Sequence, residues 1–195
     1  MKNNEEHPLV PSYLDPDMLS RILNLGIQKS YEKGHLFTDT RSQKPLLFLK
    51  RGTVRNFYRM EDLEMTVFIS SEGDFISTSD FFNNFLTPTY LEALEPLEVV
   101  EVNKEKLMHA YLADPSLEQF GRLFAEYQFT LLARNYQMLC MKSANDRYNY
   151  FLKWYPHLAG RISLKYIAAL LKMDQATLSR VRGKKNPAKA YSGSS

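Results

Sequence analysis

Apolar and polar positions in the N-terminal half of the chain alternate in short runs rather than in long helical stretches. Asp15 and Pro16 precede apolar residues at helical spacing, which predicts one short helix capped by Asp15. Further on, runs such as "KPLLFLKRG" and "EMTVFISSEGDF" are rich in β-branched and aromatic residues and are separated by turn glycines, namely Gly34, Gly52 and Gly73. This spacing predicts an antiparallel all-β sandwich or barrel.

A long helical pattern begins at Asp114 and Pro115 with "PSLEQFGRLFAEYQFTLLARNYQMLCMKSA". Seven apolar residues follow one another in steps of three and four, interrupted once at Arg134, and form the predicted dimer stripe: Leu117, Phe120, Phe124, Tyr127, Leu131, Met138 and Met141. Such a stripe predicts a helix that joins two subunits of a homodimer. Further apolar residues lie off it: Leu123, Leu132, Tyr136 and Leu139. The alternative is a helix buried wholly within one subunit.

Three shorter helices are predicted in the C-terminal part of the chain. The first, "NDRYNYFLKWYP", is capped by Asn145 and stopped by Pro156. Ser163 then caps "LKYIAALL", "KMD" forms a turn, and Asp174 caps "QATLSRVRGKK". The remaining stretch, "NPAKAYSGSS", is small and polar, and we expect it to be a mobile tail.

Charge divides the chain into an acidic body and a basic end. The net charge of +3 is the sum of +8 on residues 143–195 and −5 on residues 1–142. A basic end predicts a polyanionic partner, the alternative being a solvated basic tail. No apolar run is long enough to span a membrane and the N-terminal residues are polar, so we expect a soluble, cytoplasmic protein.

Metal and disulfide chemistry have little support in the sequence. The single cysteine, Cys140, excludes intramolecular disulfides and four-cysteine zinc or iron–sulfur sites, and we expect its thiol to be buried. The four histidines, His7, His35, His109 and His157, are scattered without the spacing of metal ligands. We therefore expect no metal and no cofactor.

The last two predicted helices have the pattern of a helix-turn-helix. An inner apolar face is supplied by Ile167, Leu170, Leu171, Met173, Leu178 and Val181. On the outer face, Gln175 and Thr177 suit base edges, Arg180 suits a bidentate contact with guanine, and the other polar residues suit phosphates. The residues expected to contact DNA are Ser163, Lys165, Gln175, Ala176, Thr177, Ser179, Arg180, Arg182, Lys184 and Lys185.

The stretch "RISLKYIAALLKMDQATLSRVR", preceded by "DRYNYFLKWYP", resembles the C-terminal half of bacterial Crp/Fnr-type transcription regulators. "RGTVRNFY" and "EGDF" extend the resemblance over nearly the whole chain. It implies an α+β fold: a cyclic-nucleotide-binding-like double-stranded β-helix or jelly-roll domain (1–113), a dimerisation helix (114–143) and an all-α helix-turn-helix domain with the tail (144–195). The implied protein is not an enzyme but a homodimeric, sequence-specific regulator that binds double-stranded DNA, with RNA polymerase as a further partner.

Two features depart from that family. Lys172 lies in the turn between the two C-terminal helices, where the family usually has glycine, so we expect a small backbone strain there. Few residues follow the second helix, and we expect none of the β-hairpin wing that many relatives carry. Phosphate contacts must then come from fewer elements.

The β segment lacks the residues with which relatives hold cyclic nucleotides. Their Gly-Glu and Arg-Ser/Thr pairs correspond to Ser77-Thr78 and Pro88-Thr89 here, and residues 60–103 contain ten acidic residues but no lysine or arginine. A phosphate would meet net negative charge, so we expect no cyclic nucleotide to bind. Polar residues that could contact another, unknown small-molecule effector are Gly73, Asp74, Ser77, Thr78, Ser79, Thr87, Thr89 and Tyr90. They could equally form a polar loop without a ligand.

Two other interpretations remain open, and a third lacks the residues that it needs. The chain could be a regulator gated by an unknown small ligand in the β segment. It could be a protein-interaction scaffold whose basic end binds nucleic acid without specificity, in which case binding would depend on salt but not on sequence. A cupin-type enzyme needs clustered metal ligands, and His35 is the only histidine in the β segment.

Overall fold

The computed structural model describes residues 13–37, 45–61, 63–78, 81 and 89–185, with only the backbone described for Lys184 and Lys185. Internal contacts divide the chain into two compact units, residues 1–131 and 132–195. The predicted mobile tail lies outside the described residues, as do Ser79 and Thr87 of the predicted effector set.

Antiparallel strands form the body of the first unit. In the described part of the chain, the strands β1 to β8 span Ile27–Tyr31, Leu36–Phe37, Pro45–Arg51, Val54–Met60, Leu63–Ser70, Phe75–Ile76, Thr89–Ala93 and Leu97–Asn103. They build two four-stranded sheets in the orders β1-β8-β3-β6 and β2-β7-β4-β5, and every pairing is antiparallel. The predicted antiparallel β architecture is therefore confirmed.

Strand β3 explains how this unit builds two apolar clusters. Leu47 and Leu49 are fully buried against residues of the other sheet, including Leu91 of β7. The alternate residues Leu46 and Phe48 point to the opposite face, because successive side chains of a strand alternate. That opposite face belongs to a second cluster, which the helices of the unit cover.

Helices cover the sheet that contains β3. Helix α1 (Pro16–Leu23) is capped by Asp15, whose Oδ1 accepts from the Met18 N–H at 2.9 Å, as predicted. Helix α2 (Lys104–Ala113) was missed from the sequence, although Asn103 is a good N-cap residue and accepts from two backbone N–H groups of its first turn. After a 3-10 turn at Pro115–Leu117, helix α3 runs over Glu118–Cys140.

The structure places most of the predicted dimer stripe in the interior of the subunit. Leu117, Phe120 and Phe124 belong to the subunit's own core, where the Phe120 and Phe75 rings meet at a centroid distance of 5.0 Å. Leu131 and Met138 are also buried within one chain. Tyr127 donates its hydroxyl to Asp74 Oδ1 at 3.1 Å. Five of the seven stripe residues are therefore buried inside the subunit, whereas Tyr127 and Met141 are half-buried.

The second unit consists of helices alone in its described part. Helix α3 contributes its C-terminal turns and is followed by α4 (Ala144–Trp154), a 3-10 turn at Pro156–Leu158, α5 (Leu164–Leu170) and α6 (Gln175–Lys185). The N-cap of α4 is Ser143 rather than the predicted Asn145, since the Ser143 hydroxyl accepts from the Asp146 N–H. Cys140 is exposed, so the expectation of a buried thiol was wrong.

Candidate nucleic-acid interface

The inner face of α5 and α6 is apolar, as predicted. Ile167, Leu171 and Leu178 are completely buried, and Leu170 and Val181 are nearly so. Met173, in the turn, is half-buried. Together with Phe151 of α4 and Leu158, these residues form the buried interior of the second unit. The face of α6 opposite to this interior is consequently left to solvent.

The turn between α5 and α6 is a Schellman motif built around Lys172. The Met173 N–H donates to the Ala168 carbonyl at 3.1 Å and the Lys172 N–H donates to the Ala169 carbonyl at 3.3 Å. Lys172 has φ +50°, the left-handed conformation for which glycine is favoured at this position. Desolvation also lowers the pKa of its ammonium group. The strain predicted at this departure from the family pattern is therefore located in one residue.

Replacing Lys172 by glycine is expected to stabilise the chain by about 1 kcal/mol, because the left-handed region costs an L-residue about 1–2 kcal/mol and glycine's freer unfolded chain offsets part of that gain. Lys172→Ala is the matched control, since alanine removes the ammonium group but keeps the Cβ. Urea unfolding of both variants measures the difference. Equal stability of the glycine and alanine variants would contradict a conformational cause.

Arg147 of α4 stabilises this turn through hydrogen bonds to backbone carbonyls. Its Nε donates to the Leu171 carbonyl and its Nη1 donates to the Met141 carbonyl, each at 2.9 Å. Leu171 is the C-cap of α5, so its carbonyl would otherwise be one of the unsatisfied groups that end a helix. Arg147 therefore acts as a structural cation in a region where arginine could have been taken for a DNA contact.

The exposed face begins at the first turn of α6. Asp174 caps this helix, with its Oδ1 accepting from the Thr177 N–H at 2.7 Å and its Oδ2 accepting from the Thr177 hydroxyl at 2.8 Å. These bonds, and the nearby charge of Arg180, hold the pKa of the Asp174 carboxyl below its usual range. Arg180 Nη2 donates to Thr177 Oγ1 at 3.0 Å. Sequence reasoning identified Asp174 as a cap but missed this contact chain.

The other residues predicted to contact DNA lie on the surface of the second unit. Gln175, Ala176, Ser179 and Arg180 are exposed on α6, whereas Thr177 and Arg182 are half-buried. Ser163 and Lys165 are exposed at the start of α5, and Ser163 is the predicted cap. Lys184 and Lys185 end α6, but their side chains are outside the described part. The described side chains thus form a polar face on α6 with a second group at the start of α5.

A second exposed surface, on helix α3, is apolar. The residues spaced four and three apart on one side of this helix are exposed and are called here the exposed seam: Ala125, Phe129, Leu132, Tyr136 and Leu139. Phe129 and Tyr136 are 72% and 69% exposed, which is unusual for large apolar side chains repeated on one helix. This spacing is the heptad pattern of a coiled-coil seam. The seam lies on a different side of α3 from the predicted dimer stripe.

The interior of the β body holds a cavity of about 20 Å³ among the described residues, lined by Asn56, Ser77, Gln128, Leu131 and neighbouring apolar side chains. This space is large enough for a water molecule but far smaller than the roughly 300–1,000 Å³ of an ordinary ligand pocket. Asn56 Oδ1 is buried there without a hydrogen-bond partner. Since Gln128 Nε2 donates to the Phe75 carbonyl, helix α3 closes one side of this space.

The structure does not bring the predicted effector residues together in that cavity. Ser77 lines it, but Asp74 is engaged by Tyr127 and by the Ser71 N–H. Tyr90 stacks on Phe57 at 5.5 Å between ring centroids. Gly73 is a buried turn residue with φ +86°, Thr89 is buried in β7, and Thr78 is half-buried. Among the described residues, the set is therefore spread over several environments.

Cyclic AMP and cyclic GMP are expected to leave the melting temperature unchanged. The cavity lined by Asn56 and Ser77 is far smaller than a nucleotide, and no lysine or arginine occurs in residues 60–103 to pair with its phosphate. A ligand that binds only the folded state stabilises it by about 2.7 kcal/mol at a hundred times its Kd, which a thermal shift assay detects. A rise of several degrees with either nucleotide would refute this expectation.

No helix in the described ranges is long and apolar enough to cross a membrane. Within the same ranges, His, Cys, Asp and Glu side chains do not assemble into a group of three or more that could hold a metal ion.

Comparison with known proteins gives matches in structure but not in sequence. No protein-family model and no curated protein matches the sequence. FixK2 from Bradyrhizobium japonicum is similar with a TM-score of 0.71 at 18% identity, covering 87% of this chain and 89% of its own. CLP from Xanthomonas campestris, described as a c-di-GMP responsive global regulator, has a TM-score of 0.67 at 17% identity, with coverages of 90% and 93%.

A transcriptional regulator from Eubacterium rectale, described as of the Crp/Fnr family, has a TM-score of 0.65 at 15% identity and covers 90% of this chain and 85% of its own. At such identities, the similarity concerns the arrangement of helices and strands. The match runs along most of each chain, through both the β body and the helices that follow it. The chain therefore has the fold of the Crp/Fnr-type regulators, which its sequence resembles.

Proposed function

We propose that the chain is a homodimeric, sequence-specific transcription regulator of the Crp/Fnr type, which binds double-stranded DNA and does not bind cyclic nucleotide. The observation that carries this proposal is the polar outer face of α6 over a buried apolar inner face, in a part of the chain with a net charge of +8. A short helix with these two faces can enter the major groove while its inner side stays packed. The same proposal includes no catalytic role.

In this proposal α5, the turn and α6 act as a helix-turn-helix. The N-terminal turns of α6 face base edges, where Gln175 and Arg180 contact bases, Thr177 lies between them, and Ala176 is able to contact a thymine methyl group. The remaining predicted residues contact phosphates, which fix the position of the helix without reading sequence: Ser163, Lys165, Ser179, Arg182, Lys184 and Lys185. Their positions at the start of α5 and along α6 support this division.

We also assign the β body, residues 1–113, to a jelly-roll domain of the cyclic-nucleotide-binding type. The strand orders β1-β8-β3-β6 and β2-β7-β4-β5 support this, because strands distant in sequence are neighbours in each sheet. Residues 114–143 are then the dimerisation helix and residues 144–195 the DNA-binding domain. RNA polymerase remains a further candidate partner on the strength of the resemblance alone.

We assign the dimer contact to the exposed seam of α3 rather than to the predicted stripe. Five of the seven stripe residues are buried within the subunit, whereas Leu132, Tyr136 and Phe129 are more than half exposed. An apolar heptad seam on a helix is stabilised when a second helix covers it. A second copy of the chain presents the same seam and can be self-complementary about a two-fold axis.

The proposed function is tested by selecting bound duplexes from a random pool. We expect enrichment of a two-fold symmetric site whose half-sites are centred about 10 base pairs, or a multiple of that distance, apart. The selected duplex should bind at least about a thousandfold more tightly than random DNA at physiological salt. Binding that weakens with salt but shows no preference among duplexes would favour the non-specific scaffold instead.

One observation favours a ligand-gated version of this regulator. The small cavity of the β body is lined by Gln128 and Leu131 of α3, the helix to which we assign the dimer contact. A small neutral ligand that enlarged this cavity would act directly on that helix. Measuring DNA affinity in the presence of cell metabolites separates a gated from an ungated regulator.

A further inference from the structure

The guanidinium of Arg180 is folded back over the first turns of α6. Its Nη2 donates to Thr177 Oγ1 at 3.0 Å and its Nε lies 3.4 Å from the Ala176 carbonyl oxygen. Arg180 is otherwise exposed, and an exposed arginine normally samples many rotamers. The direction of the side chain is toward the helix N-terminus, which is the end that enters the groove in a helix-turn-helix.

We propose that Thr177 is a positioning residue that, anchored by Asp174, holds Arg180 in the orientation in which it reads a base pair. The inference rests on the proposed function. It goes beyond that function because it assigns the selectivity of Arg180 to two residues that need not touch the base themselves. The spacing of three residues from Asp174 to Thr177 and from Thr177 to Arg180 keeps all three on one side of the helix start.

The hydrogen bonds of this chain have a defined direction. Asp174 Oδ2 can only accept, because the carboxyl is ionised and its pKa is lowered, so the Thr177 hydroxyl must donate its proton to it. The hydroxyl oxygen then offers its lone pairs to Arg180, which can only donate. Both oxygens of Asp174 are occupied by Thr177, through its hydroxyl and its backbone N–H. Asp174 therefore holds the Thr177 side chain in one orientation, and Thr177 in that orientation accepts the hydrogen bond from Arg180.

Arg180 keeps the donors that it needs for a base. A guanidinium has five N–H groups, and the contacts with Thr177 and Ala176 use one on Nη2 and the one on Nε. Both N–H groups of Nη1 and one of Nη2 remain. An end-on contact with guanine O6 and N7 uses one N–H from each Nη atom, so the anchored side chain can make it without releasing Thr177.

Thr177→Val is the direct test, because valine has nearly the same shape but no hydroxyl. Affinity is measured for the selected duplex and for a duplex in which the base pair contacted by Arg180 is exchanged. The ratio of these two affinities, here called discrimination, should fall about three- to tenfold, because binding must then order one free side chain. The salt dependence should stay unchanged, since no phosphate contact is lost. Thr177→Ser keeps the hydroxyl and should retain the discrimination of the wild type.

Two further variants separate positioning from direct contact by Thr177. Asp174→Asn still accepts the Thr177 N–H through its Oδ1, but its amide group cannot accept the hydroxyl proton, so discrimination should fall in the same direction. In an Arg180→Ala background, Thr177→Val should have no further effect on discrimination. An equal loss in both backgrounds would overturn the proposal, because Thr177 would then read the base itself.

A measurement without DNA tests the geometry separately from the proposed function. Nitrogen-15 relaxation of the Arg180 Nε in the free protein should report an ordered side chain in the wild type and in Thr177→Ser, and a mobile one in Thr177→Val. A mobile Arg180 in the wild type would overturn the positioning role whatever the protein binds. An ordered Arg180 in a protein that selects no duplex would instead leave the anchor intact and refute the proposed function.

Discussion

Leu132→Glu is expected to convert a homodimer into a monomer without unfolding the subunit. Leu132 is 53% exposed in the centre of the seam, so a carboxylate there is solvated in the monomer. In the dimer it would be buried against its own counterpart, and two like charges in an apolar seam destabilise the association by several kcal/mol. Light scattering should give twice 22.7 kDa for the wild type and 22.7 kDa for the variant.

The neighbouring residues provide matched controls for this substitution. Thr130→Glu places the same charge at an exposed position of α3 outside the seam, and this variant should remain dimeric. Leu131→Ala affects a side chain that is 8% exposed inside the subunit and should cost about 2–5 kcal/mol of folding stability rather than dimer affinity. A wild type that is monomeric at micromolar concentration would contradict the seam assignment.

Loss of the dimer should also weaken DNA binding by about a hundredfold or more, because the two half-sites are then no longer bound by two α6 helices that are linked in one dimer. The Leu132→Glu subunit keeps its own α6, so it should still prefer the selected half-site over random DNA. Filter binding or fluorescence anisotropy at fixed salt measures both quantities. If the variant binds the full site with unchanged affinity, a single subunit binds DNA without a partner subunit.

Arg180→Ala and Arg182→Ala are expected to change DNA binding in different ways. Arg180 is anchored toward the N-terminal turns of α6, and its loss should cost about 1–3 kcal/mol on the selected site and relax specificity at one position of each half-site. Arg182 lies close to the basic end of the helix, beside Lys184 and Lys185. Its loss should weaken all sequences alike and flatten the salt dependence by about one unit per lost contact.

Repeating the duplex selection with each variant distinguishes the two roles. The site selected by Arg182→Ala should match that of the wild type, whereas Arg180→Ala should tolerate any base pair at one symmetric position. If Arg180→Ala leaves the selected sequence unchanged while Arg182→Ala alters it, the assigned orientation of α6 in the groove is wrong. The Lys172→Ala variant is a useful control for general loss of positive charge nearby.

Local sequence signals were sufficient to predict the turns and several of the helix caps of this protein. Gly34, Gly52 and Gly73 all have positive φ, so their use as turn markers was justified by the backbone. At Gly52 a Cβ would lie 2.6 Å from the Pro96 carbonyl oxygen, which adds a close approach to the conformational demand. The caps Asp15, Ser163 and Asp174 were also predictable, because a cap depends on residues within one helical turn.

The interior of the second unit was predictable for the same reason. Ile167, Leu170, Leu171, Leu178 and Val181 are buried as the helical periodicity indicated. A short helix pair with one apolar face each has few ways to bury it. Helix α2 was missed because its pattern is weakly amphipathic, and only Leu107 is buried in it.

The sequence by itself determined that α3 is a long helix with apolar residues on more than one side, that the body is antiparallel β structure, and that the basic end carries two short helices with an apolar inner face. Only the tertiary structure decided which side of α3 is free. Two series, one through Phe120 and Phe124 and the other through Phe129 and Leu132, both follow steps of three and four residues, so periodicity alone cannot rank them. The first is buried because Phe75 and the outer face of β3 lie against it, and those contacts join residues far apart in the chain.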